Sequence, residues 1–186
     1  MDITEKTEEL LQKPAYLIDI FPKTVPYRED GRYFKVERIL SRGKAETHRR
    51  FIRLILKLYC YHDVDVLTDS RRIAAPDPEE LKSLLVRFFG CGDLPAGDGS
   101  GGDAGDPPCG DGPGGDAGGL PCGDVPAGDG PDESVRGLLL YLPEQDALIL
   151  PDREDLYMTV YAPHGELMEL LAALAAAEGL FFYKAP

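Results

Sequence analysis

Between Ala45 and Tyr61 apolar residues recur at helical spacing. Phe51, Ile55 and Leu58 share one face, joined by Ile52, Leu54 and Tyr59. Arg49, Arg53 and Lys57 repeat every fourth position on the opposite face, so the segment predicts an amphipathic helix with a basic outer stripe. Thr4 to Gln12 predicts a shorter helix, stopped by Pro14. Asp77-Pro-Glu-Glu80 opens another that runs to about Phe89, with Asp77 as N-cap, Pro78 at the first helical position and Glu80 completing a capping-box pattern. Pro163 to Glu178 predicts a last helix, closed by Gly179. Tyr33 to Leu40 has no clean period; Phe34, Val36 and Leu40 lean to a helical turn or short helix.

Period-two and short apolar runs mark the strands. Tyr16 to Phe21 is β-rich and bounded by prolines, and Asp63 to Leu67 alternates with Val64 and Val66 inward. Gly137 to Leu142 and Ala147 to Leu150 flank Pro-Glu-Gln-Asp and predict a hairpin with a four-residue loop. Leu156 to Tyr161 and Leu180 to Lys184 complete the set. A hairpin combined with β-α-β crossovers predicts an α+β fold: a single domain with one mixed β-sheet covered by helices. The C-terminal strands have few helices of their own, so the helix Ala45 to Tyr61 is expected to cover them.

Between the two patterned halves the pattern stops. Gly90 to Glu133 holds sixteen of the 21 glycines, seven of the 16 prolines and ten of the 33 acidic residues, with no Lys, Arg or aromatic residue. Such a composition cannot bury enough apolar surface to offset the entropy of ordering its backbone. Residues 91–133 are therefore expected to be a disordered acidic low-complexity insert, and 1–90 and 134–186 together one domain. Cys-Gly-Asp recurs at Cys91, Cys109 and Cys122, yet the glycines keep no strict every-third spacing, which excludes a collagen helix. Most of the net charge of −13 belongs to this insert, which carries −10, against +2 for residues 1–90 and −5 for 134–186.

The acidic total argues against general binding to a nucleic-acid backbone, which is driven by counterion release onto Lys and Arg. MDITEKTEELLQK is charged and amphipathic and does not read as a signal peptide, and no apolar run reaches the ~18 residues of a spanning helix. The expectation is a cytoplasmic protein with reduced thiols, away from membranes.

Candidate chemistry is sparse. Cys91, Cys109 and Cys122 lack the close pair that structural zinc sites use, and Asp98 to Asp103 lacks the ligand order of a calcium loop; no metal and no cofactor is expected. Arg49, Arg53 and Lys57, with Arg42, Lys44, His48 and Arg50 nearby, are candidate anion contacts, against the bland reading of a solvated helix face. The acidic insert lying across that stripe is a third reading. Cys60 and His62 sit two apart where helix meets strand; the expectation is a core thiol and a C-terminal histidine rather than a catalytic pair. Asp63, Asp65 and Asp69 form one carboxylate group and Asp152, Glu154 and Asp155 another; convergence would suit a divalent metal and phosphoryl chemistry. Leu167, Leu170, Leu171 and Leu174 form a helical stripe suited to core packing or to a partner.

No phosphate-binding glycine loop, nucleophile elbow or zinc-protease motif occurs. The function expected is that of a small non-catalytic protein-binding or accessory module, acting on an unknown protein partner or by self-association. The competing expectation is a divalent-metal phosphodiesterase-like enzyme built on Asp63, Asp65, Asp152, Glu154 and Asp155 beside the basic helix.

Overall fold

A computed structural model describes residues 3–26, 31–68, 71–91 and 137–186. The elements in chain order are α1 (Ile3–Leu10), β1 (Ala15–Asp19), α2 (Arg32–Leu40), a 3-10 turn (Ser41–Gly43), α3 (Lys44–Tyr59), β2 (Asp65–Thr68), β3 (Arg72–Ile73), α4 (Pro78–Phe89), β4 (Leu138–Leu142), β5 (Ala147–Pro151), β6 (Tyr157–Tyr161), α5 (Gly165–Ala177) and β7 (Phe181–Lys184). The expected insert lies almost wholly outside the described residues.

Seven strands form one sheet in the order β3-β2-β4-β5-β6-β1-β7. Residues from both flanks alternate across it: Val66 of β2 lies opposite Leu140 of β4, and Ile18 of β1 opposite both Met158 of β6 and Phe182 of β7. The flanks are thus one α+β unit, as expected. The sheet is antiparallel throughout, however, not mixed. The crossover through α5 does join two strands of the same sense, β6 and β7, but β1 lies between them and runs the other way. A helical crossover therefore does not imply a parallel ladder when a strand from elsewhere enters the gap.

One face of the sheet carries the main core. Leu138, Leu140 and Leu142 alternate inward along β4, and with Ile18, Val66, Ile149, Met158 and Val160 they meet helices α3, α4 and α5. From the helices come Phe51, Ile52, Leu54, Ile55 and Leu58, then Leu81, Leu85 and Phe88, then Leu167 and Leu171. The opposite face is closed by α1, whose Leu10 is buried over β5, the strand of the fully buried Leu148. Lys6 ties α1 to the β4–β5 hairpin through Asp146 at 2.6 Å.

The helix ends follow their local chemistry. The Asp77 side chain accepts hydrogen bonds from the Glu79 and Glu80 amides at 2.9 and 3.0 Å, and Pro78 occupies the first turn. Gly90, with φ 64°, ends α4 in the left-handed conformation that a residue with a side chain resists. The two-residue strand β3 was not expected, because a strand this short has no period to read.

Candidate functional site

The segment with the least settled pattern, Tyr33 to Leu40, folds within α2, and none of that helix's nine residues is buried. Phe34, Val36, Ile39 and Leu40 are exposed, Phe34 by 58% and Ile39 by 65%. Tyr33, Val36 and Leu40 share one face at helical spacing, and Phe34 lies at its margin, its ring edge-on to Tyr33 with centroids 5.7 Å apart. Tyr33 anchors the helix, with its ring 6.2 Å from Phe21 just past β1. Burial raises the Tyr33 phenol above its usual range, helped by its hydrogen bond to Glu37 at 3.3 Å. Between α2 and the chain leaving β1 lies an apolar groove of 330 Å³, lined by Phe21, Val25, Pro26, Tyr33 and Val36, with Arg32 at its rim. The irregular spacing of Phe34, Val36 and Leu40 signals this surface. Apolar residues that fit no single helical face cannot all enter one core.

Two cations of the α3 stripe, Arg53 and Lys57, are held by hydrogen bonds within the fold. Glu178, at the end of α5 and almost wholly buried, accepts hydrogen bonds from Arg53 Nε at 2.8 Å and Lys57 Nζ at 2.5 Å. Burial pushes the Glu178 carboxyl up, but the Lys57 and Arg53 hydrogen bonds outweigh it and hold the pKa below the ordinary value. Glu46, in the first turn of α3, draws in Arg49 at 3.6 Å, Arg50 at 3.7 Å and Arg53 at 3.3 Å. The face is a charge network that Glu178 joins to α5, with Arg53 and Lys57 still more than two-fifths exposed.

The carboxylates are dispersed. Asp65 is buried in β2, where it accepts from Arg72 Nε at 3.0 Å and the Ala75 amide at 3.1 Å. Asp152 caps the turn after β5, accepting from the Glu154 and Asp155 amides at 2.6 and 3.2 Å. Glu154 pairs with Lys44 at 3.4 Å, and Asp63 is exposed ahead of β2. Asp65 lies opposite Tyr141, and Tyr141 opposite Leu148, four residues before Asp152. Two strand spacings across and four residues along put Asp65 and Asp152 roughly 17 Å apart. Among the described residues no three His, Cys, Asp or Glu side chains are grouped to hold a metal ion. Asp69, Cys109, Cys122 and the stretch Asp98 to Asp103 lie outside the described residues.

Cys60 and His62 turn to different partners. Cys60 is exposed rather than a core thiol, because it lies half a helical turn away from Phe51 and Leu58; its Sγ donates to the Leu56 carbonyl at 3.5 Å. His62 faces Glu144 at 3.5 Å. Of the leucine stripe on α5, Leu167, Leu171 and Leu174 are buried in the main core and Leu170 packs beside it. The chain itself takes up the surface considered for a partner. Among the described residues no helix is long and apolar enough to cross a membrane.

Comparison with protein-family models, with curated proteins and with solved structures yields no match to this chain.

Proposed function

We propose that this protein is a non-catalytic protein-binding module that receives an acidic amphipathic helix of a partner in the groove beside α2. One observation carries the reading: a helix with no buried residue holds four exposed apolar side chains next to an apolar groove. Scattered apolar residues on a surface mean little, but here one of the four, Val36, lines an apolar groove together with Tyr33, and an apolar groove at the surface is a usual mark of an interaction site. The charge selects the partner. Arg32 lines the groove, and α2 with the turn after it carries Arg32, Lys35, Arg38 and Arg42 against Glu37 alone. A second copy of this chain would bring like charge to like charge, so self-association is disfavoured and an acidic flank is favoured. Apolar anchors at i, i+3 and i+7 of a partner helix suit such a groove.

The reading places the protein in a reducing compartment, in keeping with the free, exposed thiol of Cys60. Nucleic acid and membranes are not its partners on this reading, since the α3 cations are engaged by Glu46 and Glu178. The enzyme alternative gains no support from carboxylates dispersed as described above.

The test uses two synthetic amphipathic peptides with the same apolar face, one rich in Glu and the other in Lys, titrated into the labelled full chain. The acidic peptide should shift the amides of Val25, Tyr33, Val36 and Ile39, more weakly at high salt. Val36→Asp with Ile39→Asp should abolish the shifts while leaving the melting temperature nearly unchanged. Equal response to both peptides, no response, or concentration-dependent dimerisation through these residues in sedimentation would each overturn the proposal.

A further inference from the structure

A second concave site lies at the start of α3, away from the α2 groove. Its volume is 280 Å³, and Lys44, His48, Phe89, Cys91, Arg153 and Glu154 line it. His48 is 4% exposed, and its Nε2 is buried without a hydrogen-bond partner. A buried ring nitrogen left unpaired costs stability unless something occupies it. Phe89 holds the imidazole in place, with ring centroids 4.6 Å apart. Of the other polar side chains in the lining, Lys44 and Arg153 are cationic and Glu154 is acidic. Lys44 and Arg153 project from two different elements, and the first turn of the 16-residue α3 begins beside them with no side chain capping its amides. Cys91 is already engaged, its Sγ donating to the Ala45 carbonyl at 3.7 Å. Burial raises the Cys91 thiol above its ordinary range, which leaves it a neutral wall rather than a nucleophile.

We infer that this pocket binds a small phosphoryl anion, held by Lys44, Arg153 and the His48 Nε2 at the N-terminus of α3. The charge balance selects the anion. Glu154 lies 3.4 Å from Lys44 and is 81% exposed, so it is the group a ligand must displace. A singly charged carboxylate would only replace what Glu154 already supplies. A phosphoryl dianion brings an extra charge and enough oxygens to serve both cations and the imidazole together. The volume is at the small end for ligand sites and fits a phosphate or a compact phosphomonoester.

Inorganic phosphate and glycerol 3-phosphate are titrated in parallel into the full-length chain, with chloride at matched ionic strength as control, and the His48 ring resonances are followed. Saturable movement of His48 by phosphate at up to about 10 mM is expected, absent with chloride. Tighter binding of glycerol 3-phosphate would identify an organic phosphate as the source; equal or weaker binding would identify the free ion. Lys44→Gln and Arg153→Gln alter partly exposed side chains and should each weaken binding about tenfold. Glu154→Gln should strengthen it about threefold by removing the competitor, which diffuse adsorption to a cationic surface does not predict with the same selectivity. No saturable shift, a shift reproduced by chloride, or affinities unchanged in both cation variants would overturn the inference.

Discussion

Glu178 closes α5 against α3 by accepting a 2.8 Å hydrogen bond from Arg53, across 125 positions of sequence. Its side chain is 5% exposed, whereas Arg53 and Lys57 remain more than two-fifths open. The carboxylate bears the desolvation and the cations remain partly hydrated. Removing the acid is therefore the informative change, since it leaves no buried cation stranded.

Glu178→Ala should cost about 2 kcal/mol by loss of charge-assisted hydrogen bonds. Glu178 has a folded pKa below its ordinary 4.5. Its stabilising contribution is present above pH 4.5 and is lost as pH falls through the lower folded value. Chemical denaturation from pH 6 downward should show a weaker acid-side loss for Glu178→Gln than for the parent. Parallel pH profiles would remove Glu178 from the account.

His48 behaves in the related way for a base. Burial, with the nearby Lys44 charge, lowers its pKa below 6.5, although the Phe89 and Asp155 carbonyls and Glu154 pull the other way. The neutral ring is the folded form, so stability should be full above pH 6.5 and decline as pH falls below it toward the folded value. His48→Phe, which keeps an aromatic ring beside Phe89, should flatten that slope below pH 6.5. Thermal melts at half-unit pH steps read the difference.

Ala75 and Ala162 have φ of 41° and 56°, the left-handed region that an alanine side chain resists. Asp65 holds the Ala75 amide at 3.1 Å, and the Ala162 amide donates to the Pro14 carbonyl at 3.1 Å, so the turns are kept despite the strain. Ala75→Gly and Ala162→Gly should each stabilise by up to about 1 kcal/mol, the relief of strain exceeding the added freedom of the unfolded chain. A fall in melting temperature for both variants would contradict the conformational argument.

β1 from the first flank is seated between β6 and β7 of the second, and β4 from the second pairs with β2 of the first. Expressed separately, residues 1–90 and 134–186 should each lack cooperative unfolding, and mixing them should restore it. Dispersed amide spectra from either fragment alone would show a self-sufficient core where the sheet argues for a shared one.

Periodicity in the sequence by itself determined the helices and most strands, because a 3.6 or two-residue repeat of apolar positions records which face each element will bury. Phe51, Ile55 and Leu58 share a face in any structure that forms α3, and Asp77-Pro78 starts α4 by purely local bonds. The tertiary structure alone decided strand order and direction. Ladder hydrogen bonds join backbones that carry no residue-specific signal, so the entry of β1 between β6 and β7 leaves no trace in either pattern. It also decided the fate of charges. Arg53 and Lys57 read as an outer stripe until the end of α5 brings Glu178 beneath them, and Asp65 reads as a loose acid until β3 brings Arg72. The α2 surface lies between these cases. Its apolar residues were visible in the sequence, but their exposure depends on how little of the chain packs against that helix, a property of three-dimensional packing rather than of spacing.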